Sequence, residues 1–134
     1  MEETRYGLRV DLNIPYDQAL ERITGALQKE GLGVLTTIDV RQTLKQQLDR
    51  DFRRYVILGA CNPTLADRAL QAELEVGLLL PCNVILYERK PGTSAVAAMA
   101  PLPAMGIVGN TELESVAREA DARLRKALQH VESA

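Results

Sequence analysis

The stretch Phe52-Arg53-Arg54-Tyr55-Val56-Ile57-Leu58-Gly59-Ala60-Cys61-Asn62-Pro63 decides the fold class. Residues 52–58 predict a strand, because Tyr55, Val56 and Ile57 suit packing on a pleated sheet. Gly59 and Ala60 then lead into Cys61-Asn62-Pro63, where the signal changes to helix. Asn62 is suited to cap a helix by accepting an otherwise unpaired N–H, and Pro63 to be its first residue, where a missing donor costs nothing. A strand running directly into a helix implies an α+β domain, with helices laid on a sheet.

Upstream, Tyr6, Leu8, Val10 and Leu12 alternate, which predicts a half-buried strand over 5–13. Pro15 favours the start of a helix whose stripe is Tyr16, Ala19, Leu20, Ile23, Ala26 and Leu27, and Gly31 is its natural stop. Residues 33–38 predict a short strand. Val40, Leu44 and Leu48 predict a connecting helix that Asp39 can cap.

Downstream, Ala66, Ala69, Leu70 and Leu74 support a helix, which Gly77 helps to end. Residues 78–80 and 84–87 predict strand on either side of an irregular Pro81-Cys82-Asn83 turn, and 94–100 a last strand weakened by its alanines. Pro101 and Pro103 favour a loop. Thr111 followed by Glu114 resembles a capping box before the final helix, with Asn110 as another contributor. Leu113, Val116, Ala117, Ala120, Leu124, Ala127, Leu128 and Val131 form that helix's apolar stripe.

The 134 residues are expected to form one domain, 1–134. Sixteen Lys and Arg against eighteen Asp and Glu leave a net charge of −2, and no basic tail or aromatic RNA-reading motif is present, so no nucleic-acid partner is expected. The longest apolar run, 76–86, is too short to span a bilayer and contains Pro81 and Asn83, so neither a membrane segment nor a signal peptide is expected. Cytoplasmic localisation follows as the default. The glycines of 31–33 and 106–109 lack the continuation of a nucleotide-binding loop, and no cofactor is expected. Two cysteines supply half of a typical structural zinc site, so no metal is expected either.

Chemistry is concentrated in two similar segments, Cys61-Asn62-Pro63 and Pro81-Cys82-Asn83. One reading is structural: Asn62 caps, Asn83 orders a turn, and the thiols fill small spaces. The other makes Cys61, Asn62, Cys82 and Asn83 the polar edge of a ligand pocket, or Cys61 and Cys82 a redox pair of nucleophile and resolving thiol. Tyr6, Tyr16, Tyr55 and Tyr87 read as core-boundary packing, Asp49 and Asp51 as a solvated turn, and His130 as a helix-end residue.

The 52–63 stretch with Ala66 and Ala69, together with Gly77-Leu78-Leu79-Leu80-Pro81-Cys82-Asn83-Val84, resembles the bacterial and archaeal family named domain of unknown function 302. The resemblance implies a TBP-like β-α-β4-α arrangement: a curved, mostly antiparallel sheet covered on one face by helices. It also implies a homodimer, and it supplies no substrate or reaction. The functional expectation is a small-ligand-binding or sensory domain. The alternatives are a thiol-dependent redox protein and a non-catalytic dimerisation module. Whether the protein is an enzyme stays open.

Overall fold

The computed structural model describes residues 1–133. The elements run β1 (Glu2–Glu3), β2 (Gly7–Leu12), α1 (Tyr16–Lys29), β3 (Gly33–Asp39), α2 (Val40–Leu48), β4 (Tyr55–Cys61), α3 (Pro63–Ala72), a 3-10 segment (Leu74–Leu79), β5 (Cys82–Lys90), β6 (Thr93–Met99), α4 (Pro101–Gly106) and α5 (Thr111–Ser133). All strands pair antiparallel in one sheet of order β1-β2-β6-β5-β4-β3.

The α+β class and the antiparallel sheet agree with expectation. The curved β-α-β4-α description does not. The sheet is open and not curved, and β1 and β3 are free edges at opposite ends of a six-strand ladder. A short strand, β1, and three further helical pieces (α3, the 3-10 segment and α4) join the two long helices and the connecting helix α2. A two-residue strand such as β1 carries no periodicity to read; it forms because the turn at Thr4–Gly7 folds Glu2 and Glu3 back onto β2.

The period of two in the strands separates the faces. Leu8, Val10 and Leu12 of β2 pair with Ala98, Val96 and Ser94 of β6, which continue through Val84 and Leu86 of β5 to Leu58 and Val56 of β4. These side chains are buried beneath α1 and the C-terminal half of α5, whose Ile23, Leu27, Leu124 and Leu128 complete the main core. Ser94 is tolerated there because its hydroxyl donates to the Ile14 carbonyl at 2.8 Å. A satellite core of Leu65, Ala69, Val76, Met105, Leu113, Val116, Ala117 and Ala120 joins α3, the 3-10 segment, α4 and the first half of α5. Every residue of the expected α5 stripe is buried.

Local signals hold at several ends. Asn62 caps α3 with Pro63 in its first turn, Asp39 caps α2, and Gly31 leaves α1 at φ 72°. Five expectations change. Tyr6 precedes β2 and is 79% exposed, because the Thr4–Gly7 turn ends the alternation. The helix over 63–72 stops at Ala72, and Leu74 and Leu78 sit in the 3-10 segment with 82% and 86% of their surface exposed. That segment replaces the strand expected at 78–80. Pro101 and Pro103 open α4 instead of a loop, since the first turn of a helix needs no donor from them. Asn110, and not a Thr111 capping box, starts α5: its Oδ1 accepts from the N–H groups of Glu112 and Leu113 at 3.0 and 3.2 Å. Among the described residues, no helix is long and apolar enough to cross a membrane.

Candidate functional site

The register pairs Cys82 with Ala60, one residue before Cys61, so the two cysteines are near neighbours on adjacent strands. Both are free thiols. With Asn62 they line one small apolar cavity of about 30 Å³, together with residues such as Leu65, Ala69, Leu80 and Met105. That volume holds about one or two water molecules, too little for an organic ligand. Burial pushes the Cys61 thiol up, and burial followed by the neighbouring Cys61 pushes Cys82 up to about 11. Thiolate attack needs the opposite shift, from an electropositive setting. The pair is therefore held as neutral thiols near pH 7.

Asn62 spends its side chain on the fold. Its Oδ1 accepts from the Leu65 N–H at 2.9 Å, and its Nδ2 donates to the Gly31 carbonyl at 2.9 Å. It ties the exit of α1 to the start of α3, while Arg123 Nη1 donates to the adjacent Glu30 carbonyl at 2.9 Å. Asn83 is separated from the other three. It pairs with Gly59 and is exposed on the face of the sheet opposite α1 and α5.

That open face holds a feature with the size of a ligand site. A groove of about 430 Å³ crosses it, lined by Arg9, Asn83, Ile85, Tyr87 and Ala97 among others. Its shape follows from alternate strand positions. The open-face residues of β6 include Ala95 and Ala97, and a methyl group is the smallest side chain that can stand there. Their larger neighbours on either strand form the walls: Ile85 and Tyr87 on β5, and Arg9 on β2. Met99 and Tyr6 lie toward one end.

The aromatic wall is ordered. Tyr55 and Tyr87 are directly paired across β4 and β5, with ring centroids 5.5 Å apart and planes 8° from parallel. Phe52 packs on Tyr55 at 6.2 Å, while the guanidinium carbons of Arg9 and Arg53 lie 5.8 and 6.0 Å from the Tyr87 centroid. Burial raises the Tyr55 phenol, and the phenols of Tyr87 and Tyr6 add to the shift, so the Tyr55 hydroxyl stays a protonated donor. Arg9 is oriented by Asp11, to which its Nε and Nη2 both reach at 2.9 Å.

Of the four residues expected to edge a ligand pocket, Cys61, Asn62 and Cys82 meet around the small cavity, and Asn83 lines the groove instead. Arg9 and Ala97 were missed, and Tyr6, Tyr55 and Tyr87 were read as packing. Strand alternation places each on a face, yet only strand order brings them together. Tyr16, by contrast, packs in the core, with Arg54 4.1 Å from its ring. His130 lies at the far helix end, 3.8 Å from Glu30. Asp49 and Asp51 both contact Lys45 at the exposed end of α2. Among the described residues, no group of three or more His, Cys, Asp or Glu is placed to hold a metal ion.

No curated protein matches the chain in sequence. Among solved structures, it is similar to the crystal structure of an uncharacterized conserved DUF302 protein from Bacillus stearothermophilus. The identity is 30%, the match covers 95% of this chain and 98% of that one, and the TM-score is 0.86. The model of the family described as domain of unknown function DUF302 matches residues 8–131. With the family pattern running from β2 to the end of α5, and a relative of the same architecture along nearly its whole length, the chain belongs to the DUF302 family.

Proposed function

We propose that this protein is a small-ligand-binding domain, suited to a sensory role, whose site is the groove on the open sheet face. The observation that carries the reading is the groove itself: about 430 Å³, floored by alanine and walled by a stacked tyrosine pair and an arginine. Its volume falls within the range of about 300–1,000 Å³ usual for small-molecule sites, and it combines apolar walls with a few polar groups. Asn83 belongs to this site. Cys61, Asn62 and Cys82 lie at the separate small cavity and act as packing and capping residues. Free thiols support a reducing, cytoplasmic setting.

A neutral flat probe, tryptophol, tests the reading. With about 12 heavy atoms at about 0.3 kcal/mol each, saturable binding is expected with a Kd on the order of 1–10 mM. Amide resonances of Ile85, Ala97 and Met99 are expected to shift together as the probe is added. Ala97→Phe fills the trench and is expected to weaken binding at least about 10-fold, since a ring then occupies the ligand's space. Non-saturating shifts, or shifts indifferent to Ala97→Phe in a protein that keeps a dispersed spectrum, reject the groove as a site.

A second reading, self-association, is supported by a different observation. Helix α2 buries no residue, Leu48 is exposed at its end, and edge strand β3 exposes Leu35 and Ile38. A nine-residue helix is marginal in water by itself, and a second copy of this chain offers it an apolar surface. Sedimentation velocity across about 1–100 μM is expected to show a dimer that Leu48→Asp converts to monomer, through loss of roughly 1.5–3 kcal/mol of leucine burial on each side. A monomer at every concentration removes this reading.

A further inference from the structure

We propose that the ligand taken by this groove is a flat aromatic ring bearing a carboxylate, with the ring over Ala97 against Tyr87 and Ile85 and the carboxylate on Arg9; this rests on the groove being the binding site. The floor and the β5 wall set the ring preference. The methyl group of Ala97 leaves a shallow floor beside the Tyr87 ring, and Tyr87 is itself held in plane by Tyr55 behind it. A rigid π-surface held parallel to a neighbour favours an offset-stacked or edge-on ring over a flexible aliphatic chain.

Charge sets the other half. Among the described residues that line the groove, Arg9 alone is charged. Its bonds to Asp11 use Nε and Nη2 and converge on a single carboxylate oxygen, Oδ1. The guanidinium carries five N–H donors in a planar fork, so Nη1 keeps its donors for a second acceptor while Asp11 holds the plane still. Around this point the rim is cationic: Arg53 lies by the same tyrosine, and Arg89 Nη2 is 3.8 Å from Asp11 Oδ2. Arg9 and Arg89 stand against Asp11, Glu2 pairs with Arg9 from the edge strand, and Arg53 adds a third guanidinium beside Tyr87. The balance favours an anion and disfavours a cation. A ring carboxylate matches both surfaces at a spacing of one side chain, since Arg9 and the Tyr87 ring stand 5.8 Å apart.

Three indoles of one shape isolate the charge: indole-3-acetate, tryptophol and tryptamine, titrated into the whole chain and followed by the amide resonances of the groove. Indole-3-acetate is expected to bind about 5–10-fold more tightly than tryptophol, as a charge-assisted hydrogen bond adds to the shared ring contact. Tryptamine is expected to bind more weakly than either. Arg9→Gln is expected to erase the preference for indole-3-acetate over tryptophol, and Arg9→Lys to restore part of it. Because Arg9 is at the surface, an unaltered spectrum of Arg9→Lys guards against misreading a folding defect. Equal affinity for acid and alcohol, or a preference that survives Arg9→Gln, overturns the carboxylate assignment while the groove stands. Failure of all three indoles to bind overturns the groove reading and this assignment with it.

Discussion

Leu124→Ala is expected to lower the unfolding free energy by about 3–5 kcal/mol, the upper part of the range for a fully buried leucine. Leu124 has no exposed surface and lies in the main core beside Ile23 and Leu27 of α1. Its place explains the size of the effect. Helix α5 is 23 residues long and serves two cores, with Leu113 to Ala120 in the satellite and Leu124 to Val131 on the sheet. Leu124 is the first of its residues to reach the main core. The backbone there is fixed on both sides, so the walls have little freedom to collapse into the space left by the lost methyls. Urea unfolding of the variant and the parent checks this. Leu78→Ala, at a leucine of similar size in the exposed 3-10 segment, is the contrast and is expected to stay within about 0.5 kcal/mol. A loss at Leu124 below about 1.5 kcal/mol contradicts the packing of α5 on α1 and the sheet.

Gly59→Ala is expected to cost about 1–3 kcal/mol through overpacking, although it adds a single methyl. Gly59 stands on the open face between Thr36 of β3 and Asn83 of β5. A Cβ there meets Thr36 Oγ1 and, at 2.7 Å, Pro81 Cγ, both well inside contact distance. The two obstacles differ in kind. The Thr36 hydroxyl can rotate about χ1, whereas the Pro81 ring is fixed to its backbone. Adding Thr36→Ala to Gly59→Ala is therefore expected to recover only part of the loss. Full recovery in a double-mutant cycle identifies Thr36 as the sole obstacle, and no loss in the single variant contradicts the close approach of Pro81. Gly77, whose added Cβ meets nothing within 4 Å, supplies a neutral comparison. The same geometry explains why a glycine interrupts the run Val56-Ile57-Leu58. Glycine weakens a strand in general, but here the Thr36 hydroxyl and the Pro81 ring lie too close for a side chain.

The two substitutions probe parts of the molecule that differ in how far they can be read from sequence. Leu124 belongs to a stripe with helical period along one continuous segment, and Asn62-Pro63 is a cap written in adjacent residues. Such signals depend on backbone geometry within a few positions. Gly59 is different: its stop signal is local, but the reason for it lies in Pro81, more than twenty residues away. The cysteines show the same division. Their spacing allowed packing, ligand and redox roles alike, and burial with its upward shift of both thiols favours packing.

The open-face groove lies furthest from what sequence can state. Alternation alone puts Arg9, Tyr87 and Ala97 on one face of their own strands, but it does not say which strands are neighbours. Pairing β6 between β2 and β5 makes Ala97, in a run that reads as a weak strand, the floor between an arginine and a tyrosine. The family motifs around Cys61 and Cys82 likewise identify the chain without locating this groove. By itself, the sequence determined the α+β class, the helix stripes and caps, and the family, because each depends on short-range geometry or on a contiguous motif. Tertiary structure alone decided the open six-strand order, the separation of Asn83 from Cys61, Asn62 and Cys82, and the groove, because cross-strand register is a contact between distant residues and no local propensity encodes it.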